Sequence, residues 1–286
     1  MESILCAKTL EKLYLVFIRP IFEYATEVWD NCGISNANRL EQLQLKCARI
    51  VTGLPIFTKK EVIYQEIGWE TLALRRQRRK LQMFYNIINK HAPDYLCNLI
   101  PPNIQSMTTY PLRNGEDIIL PFCRLSLTKD SFIPATIKNW NSLEPSIRHS
   151  KSLGQFKMEM KKQSINTKNI PEYFSYGPRK LNIILTQLRC SASFLNNDLC
   201  KANITTDSSC RCGSATENAQ HYFFECPLYK DYRELLINDL TWLPTNIAMD
   251  LNLLVFGKPE LTIDQNKTVF NHVYTFIKRS KRFLIV

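Results

Sequence analysis

Apolar side chains recur along residues 4–89 mainly at spacings of three or four, the pattern of one face of an amphipathic helix. This spacing predicts helices over residues 4–21, 36–51, 58–67 and 70–89. Gly68 directly follows the third of them and suits the left-handed conformation in which many helices end. The same pattern predicts five more helices, at residues 136–143, 152–162, 181–188, 229–240 and 267–283. We therefore expect a mainly α-helical protein.

The pattern changes between residues 117 and 128, where apolar and polar side chains alternate. Leu125 and Leu127 alternate with polar residues, and a period of two is typical of a β-strand with one buried face. We therefore expect a small β-ribbon within the helical bundle.

A polar stretch over residues 164–178 interrupts the helical patterns and contains two prolines and a glycine. Such a composition is typical of a linker between domains. The sequence therefore predicts two parts. A helical bundle with the β-ribbon covers residues 1–163, and a smaller helical domain covers residues 179–286.

The helix predicted over residues 70–89 has one apolar side and one strongly basic side. At about 100° per residue, its large apolar side chains fall within an arc of roughly 100°. The opposite side carries five cations: Arg75, Arg76, Arg78, Arg79 and Lys80. Two interpretations remain open. The basic side is a solvated helix face, or it contacts the phosphates of a nucleic acid, which would relieve the repulsion among the five charges.

Three cysteines and one histidine form the one local pattern with the spacing of metal ligands. Cys210, Cys212, His221 and Cys226 supply three sulfur atoms and one nitrogen, a set that suits tetrahedral zinc. Four protein ligands leave no open coordination position, so the predicted zinc is structural rather than catalytic. The alternative is that these four are ordinary core residues, packed beside the aromatic residues that follow His221.

The net charge of +11, from 37 Lys and Arg against 26 Asp and Glu, favours a polyanionic partner. Part of this charge ends the last predicted helix, where the cations of residues 278–282 are typical of a solvated end. The chain has 8 glycines and no glycine-rich phosphate loop. We expect no signal peptide, and the sequence contains no apolar run of membrane-spanning length. We expect an intracellular protein, nuclear or cytoplasmic, with no membrane partner and no small-molecule substrate.

Three blocks of sequence occur in order along the chain. The first has FIRPIFEYA at residues 17–25, VW at 28–29 and LEQLQ at 40–44. The second has FIP at residues 132–134, WNSL at 140–143, SL at 152–153 and FK at 156–157. The third has TQLR at residues 186–189, LN at 195–196, CRCG at 210–213, Glu217, His221, CP at 226–227, Tyr229 and Arg233.

Together these blocks resemble the C-terminal region of the polyprotein of non-LTR (LINE-type, jockey-like) retrotransposons. The first block is similar to the stretch that follows the catalytic palm of such reverse transcriptases, in their thumb-like region, and the second is similar to a block further along. The third resembles the terminal CCHC zinc-knuckle-like element. The resemblance implies a structural zinc within residues 210–226 and an RNA or single-stranded DNA partner.

Polymerase chemistry in this family needs two palm carboxylates that hold divalent metal ions, and no Asp-Asp pair occurs in the sequence. We therefore expect a truncated reverse transcriptase fragment that is not an enzyme and that binds nucleic acid. The basic side of residues 75–80 would contact phosphates, and Tyr222 and Phe223 would stack on bases. The alternative is a vestigial or interaction protein that binds neither nucleic acid nor zinc.

Overall fold

A computed structural model describes residues 5–162 and 172–283, and helices dominate this part of the chain. Its α-helices are α1 (Ala7–Leu13), α2 (Arg19–Glu23), α3 (Thr26–Trp29), α4 (Ile34–Thr52), α5 (Lys60–Ile67), α6 (Leu72–Ile88), α7 (Asp94–Cys97), α8 (Ser126–Lys129), α9 (Phe132–Asn141), α10 (Pro145–Arg148), α11 (Leu153–Lys162), α12 (Arg179–Arg189), α13 (Asn196–Lys201), α14 (Lys230–Asp239), α15 (Leu251–Phe256) and α16 (Ile263–Ser280). Its π-helical turns are Tyr14–Ile18 and His221–Glu225, and its 3₁₀ turns are Ile104–Met107, Glu172–Ser175 and Pro227–Tyr229. None of the helices in the described ranges has both the length and the apolar character needed to cross a bilayer.

The predicted helices of the N-terminal part are confirmed, with one change. α4, α5 and α6 form where the apolar spacing placed them, and Gly68 ends α5 in the left-handed conformation with φ +72°. The helix expected over residues 4–21 is instead divided into α1, a π-helical turn and α2. Pro20 lies in the first turn of α2, the part of a helix that tolerates proline best.

The predicted β-ribbon is wrong, because no strand occurs in the parts of the chain that the structure describes. An isolated antiparallel bridge joins Asn103 and Ile118, and the leucines that suggested alternation lie exposed in or beside α8. The side-chain amide of Asn141 forms the two backbone hydrogen bonds at Ile118 that a partner strand would otherwise form. Its Oδ1 accepts from Ile118 N at 3.1 Å and its Nδ2 donates to Ile118 O at 2.8 Å. The extended segment therefore ends after one bridge.

The described chain forms two compact units, and each is discontinuous in sequence. The first unit comprises residues 5–15, 45–68 and 172–283, and the second comprises residues 16–44 and 69–162. The sequence predicted two contiguous domains with a linker at 164–178. Most of that linker lies outside the described residues, so its role stays a prediction.

Helix α6 is central to the second unit and packs on α9 and α11 with its apolar side. Tyr85 of α6 stacks on Phe156 of α11 with ring centroids 4.8 Å apart, and Trp140 of α9 completes this aromatic cluster. The Tyr85 hydroxyl donates to Ser150 O at 2.7 Å, so the polar end of the buried ring is satisfied. Trp140 is buried.

The first unit has a separate apolar core built mainly from α12, α15 and α16. Phe223 and Cys226, from the cysteine-histidine segment, are fully buried in this core. α14 packs on α16 and on the turns that contain His221 and Pro227. The segment with the predicted metal ligands is therefore part of the core of the first unit rather than a surface appendage.

Candidate metal centre

A tight turn brings the first two cysteines of the motif together. Cys210 N donates to Ser214 O at 2.9 Å, and Gly213 N donates to Cys210 O at 2.9 Å. Gly213 has φ +93°, a conformation that residues with a Cβ rarely adopt, so glycine allows the turn to close. The turn places Cys212 at its tip.

A π-helical turn supplies the other two candidate ligands. Asn218 Oδ1 accepts from His221 N at 2.8 Å and fixes the start of this turn. The turn closes with a bond from Cys226 N to His221 O at 2.8 Å, which spans five residues as in a π-helix. Because this bond holds the backbones of His221 and Cys226 together, both side chains reach the turn that carries Cys210 and Cys212.

The four side chains converge on one point. Their candidate ligand atoms all lie within 4.8 Å of one another. Cys210 Sγ is 3.8 Å from Cys226 Sγ, and Cys212 Sγ is 3.3 Å from His221 Nε2. With Zn–S bonds of about 2.3 Å, a tetrahedral site separates two sulfur atoms by about 3.8 Å. The predicted proximity of the four residues is confirmed, and their spacing and donor atoms suit zinc.

Protein groups act in opposite directions on the three thiols. A hydrogen bond from Ser214 N lowers the pKa of Cys212 to about 7, helped by the neighbouring thiols and by His221. Burial raises the pKa of Cys210, and it raises the pKa of Cys226 to about 12. Because zinc binds thiolates, a bound cation would supply the charge that keeps the two buried sulfur atoms deprotonated.

Two arginines and a carboxylate support the residues of this centre from outside. Arg233 of α14 donates from Nε to Phe223 O at 2.8 Å and from Nη2 to Cys226 O, so it holds the end of the π-helical turn. Glu217 is buried and accepts from both Nε and Nη2 of Arg282. Burial opposes ionisation of Glu217, but the hydrogen bonds from Arg282 and Asn196 N outweigh it, so the pKa of Glu217 lies below its usual value.

The sequence indicated some of these supporting residues and missed one. Glu217 and Arg233 belong to the third block of the resemblance, which assigns them no role. Arg282 was expected in a solvated, basic end, whereas its guanidinium is half-buried against Glu217. Because 65 residues separate these two partners, spacing within a local motif could not pair them.

The five cations on the basic side of α6 are paired with acidic side chains within the second unit, so this side is not simply solvated, and its contact with phosphates stays a prediction. Each cation has an acidic partner, and the pairs are Arg75 with Glu23 and Glu70, Arg76 with Asp30, Arg78 with Glu70, Arg79 with Glu23 and Glu27, and Lys80 with Asp30. Arg76 and Arg78 are buried, and Arg76 also lies 5.9 Å from the ring centroid of Trp29. Each of these cations is therefore paired within its own chain, and Arg79 keeps the largest exposed fraction, 42% of its side chain.

The two aromatic residues predicted to stack on bases have no exposed surface. Tyr222 and Phe223 are each 0% exposed. The Phe223 ring stacks on Phe276 with centroids 5.4 Å apart, and the Tyr222 hydroxyl is 2.6 Å from Ser280 Oγ. The structure therefore corrects their assignment: both anchor the candidate metal centre to α16 and are unavailable to a base.

No family model, no curated protein and no solved structure matches this chain. The features that bear on function are therefore the geometry of residues 210–226 and the exposed charges around it.

Proposed function

We propose that Cys210, Cys212, His221 and Cys226 bind one structural zinc ion in a protein that is not an enzyme. The observation that carries this proposal is the convergence of three sulfur atoms and one imidazole nitrogen within 4.8 Å. Four protein ligands leave no position for a substrate or a reactive water, so the ion would have no catalytic role.

The zinc would fasten two local turns to the core of the first unit. Cys210 and Cys212 lie on one turn, and His221 and Cys226 lie on the π-helical turn that continues into the aromatic core. The loop between Cys212 and His221 is mainly polar and contains few groups that could order it by burial. Metal coordination would therefore add to the order that this loop otherwise receives from the buried Glu217.

Metal content of the purified full chain tests this function. We expect one zinc per chain after dialysis without chelator, and loss of that zinc in Cys226→Ser. Cys200→Ser is the matched control, because Cys200 belongs to α13 of the same unit and has only a distant acceptor, Thr206 O at 4.0 Å. A wild-type chain without zinc, or a Cys226→Ser chain that keeps a full equivalent, would contradict the proposal.

We also propose, from the resemblance of the three blocks, that the chain derives from the C-terminal region of a non-LTR retrotransposon reverse transcriptase. On this proposal it has no polymerase activity, because the sequence lacks the Asp-Asp pair of the palm. The test uses the purified chain and variants of its own carboxylates. Template-directed nucleotide incorporation that persists in every variant, or in a mock preparation, would come from a contaminant. Incorporation lost in one such variant would contradict the proposal.

A second proposed function is binding of RNA or single-stranded DNA, and it rests on the exposed charge that remains. Lys278, Arg279 and Lys281 are exposed at the end of α16, and none of the ion pairs found within residues 5–162 and 172–283 includes them. A cluster of cations without acidic partners attracts the phosphate backbone of a nucleic acid. The α6 cations are excluded from this surface because they are paired.

The salt dependence of binding tests this second function. Fluorescence anisotropy with a labelled single-stranded RNA should give a log Kd that rises with log salt, and the triple variant Lys278→Ala, Arg279→Ala, Lys281→Ala should lower the slope by about 2. The control triple variant is Lys129→Ala, Lys138→Ala, Lys151→Ala, which removes three exposed cations of the second unit. If the two triple variants have equal slopes of log Kd against log salt, or if the wild type does not bind RNA at low salt, the alternative of an interaction protein without a nucleic-acid partner is favoured.

A further inference from the structure

A buried carboxylate lies beside the candidate zinc ligands without being one of them. Glu217 is 2% exposed, and its Oε1 is 4.0 Å from Cys210 Sγ. Its Oε2 accepts from Asn196 N at 3.0 Å, and its own backbone bonds to Ser208 and Asn197. The position of this carboxylate is therefore fixed by the fold on several sides.

Arg282 reaches this carboxylate from just beyond the end of α16. Its Nε lies 2.7 Å from Glu217 Oε1 and its Nη2 lies 2.6 Å from Glu217 Oε2, a bidentate pair. Lys281 ends the helix with φ +53°, so the chain turns and directs the following residue back. Arg282 Nη2 also donates to Phe194 O at 3.0 Å.

Arg282 neutralises Glu217, and this neutralisation matters most when a metal is bound. A divalent zinc ion with three thiolates and a neutral imidazole carries one net negative charge. Glu217 adds a second negative charge directly beside it. Arg282 supplies one positive charge, and Arg211 is close enough to act electrostatically on Glu217. Without Arg282, the metal centre and Glu217 would repel each other in a region shielded from water.

We infer that Arg282 neutralises Glu217, removes its repulsion of the anionic zinc centre, and thereby couples metal binding to docking of the C-terminal end of α16. This inference rests on the proposed zinc function. Arg282 is a positioning residue in it, since it touches no metal ligand directly.

Coupling of this kind is reciprocal. Loss of Arg282 should weaken zinc binding, and loss of zinc should loosen residues 278–283. Substitutions of residues that support metal ligands typically lower affinity by about 10- to 100-fold, and we expect Arg282→Ala to fall in this range.

Zinc affinity, measured on the full chain by competition with a chromophoric chelator, gives the first test. Arg279→Ala is the matched control, because it removes an exposed cation from the same helix end without touching Glu217. We expect Arg282→Ala to lose about 10- to 100-fold in affinity and Arg279→Ala to match the wild type. Arg282→Lys should fall between them, since lysine restores the charge but not the bidentate geometry.

The double variant Glu217→Gln, Arg282→Ala separates charge balance from simple packing. If Arg282 acts by compensating Glu217, neutralising Glu217 in the Arg282→Ala chain should restore most of the lost affinity. A purely structural role would instead make the double variant as weak as Arg282→Ala or weaker. Cobalt substitution should give the same tetrahedral thiolate spectrum in every variant that binds metal, which shows that the ligand set is unchanged.

Hydrogen exchange of residues 278–283 gives the reciprocal test. We expect protection to fall about tenfold on chelation in the wild type and to change little in Arg282→Ala, where the coupling is already broken. Equal zinc affinities of Arg282→Ala and Arg279→Ala, or no recovery in the double variant, would overturn the inference while leaving the zinc site intact. A wild-type chain that binds no zinc would overturn both. If Arg282→Ala does not fold, the comparison is made with Arg282→Lys, which keeps the charge. Its zinc affinity should then be lower than that of Arg279→Ala, and an equal affinity would overturn the inference.

Discussion

Asp30 accepts a hydrogen bond from Arg76 Nε at 2.6 Å, and this ion pair is largely hidden from solvent. The same carboxylate pairs with Lys80, one turn further along α6. α3 therefore places an acidic residue opposite two of the five cations that the sequence had assigned to a nucleic-acid surface. Opposite charges in this position stabilise the fold and leave little attraction for an external phosphate.

Removing this carboxylate should destabilise the second unit. We expect Asp30→Asn to lower the free energy of unfolding by about 2 kcal/mol, because two partly buried cations lose their charged acceptor. Asp130→Asn, an exposed position in the same unit, should change it by less than about 0.5 kcal/mol. Urea unfolding of both variants measures the difference, and equal stabilities would show that the pair contributes nothing.

The Asp30 pair should also appear in the pH dependence of stability. Burial raises the pKa of Asp30, but the hydrogen bonds and charges of Lys80 and Arg76 outweigh it, so the pKa is lower in the folded state. Its contribution is therefore fully present above the unfolded value of about 3.9 and is lost as the pH falls below it. The stability gap between wild type and Asp30→Asn should be large at pH 6 and close towards pH 2. A gap that is constant over this range would count against the assignment.

A second buried ion pair belongs to the first unit and joins α5 to α12. Arg189 Nη2 lies 2.8 Å from Glu66 Oε1, and both side chains are almost completely shielded. Glu66→Gln should cost about 3 kcal/mol, because it leaves a buried guanidinium without its counter-charge. Glu61→Gln, on the exposed side of the same helix, should cost less than about 0.5 kcal/mol. Thermal or urea unfolding distinguishes the two, and similar losses would contradict the argument.

Free zinc should stabilise the first unit. Above the Kd, each tenfold increase in free zinc should add about 1.4 kcal/mol to the free energy of unfolding, because the metal binds the folded chain. The melting temperature should therefore rise with free zinc in a metal buffer and fall on addition of a chelator. The melting temperature of Cys226→Ser should be independent of zinc, and a matching zinc dependence in that variant would place the metal elsewhere.

Most of the helices could be predicted from the sequence because each depends on spacing within one segment. α5 and α6 follow directly from their apolar positions, and Gly68 marks an end. The β-ribbon could not be rejected this way. Its alternation is real, but whether a strand forms depends on a partner, and Asn141 satisfies the Ile118 backbone instead.

The convergence of the metal ligands could be predicted from the sequence, whereas the ion pairs of the basic helix could not. The four candidate ligands lie within one short segment, so their spacing predicted that they meet. Four of the five α6 cations pair with acidic residues in or directly after α2 and α3, as many as 56 positions away, which no local pattern contains. Tyr222 and Phe223 are aromatic residues of the kind that stack on bases, but both are buried in the core with α16 and therefore serve as core residues.

The coordination of the bound metal tests the central claim most directly. X-ray absorption spectroscopy at the zinc edge of the purified full chain should show three sulfur neighbours at about 2.3 Å and one nitrogen neighbour at about 2.0 Å. Cys212→Ser should replace one of the sulfur neighbours with a lighter atom, while Cys200→Ser should leave the spectrum unchanged. A wild-type spectrum with only oxygen and nitrogen neighbours would contradict the assignment of Cys210, Cys212, His221 and Cys226 as the zinc ligands.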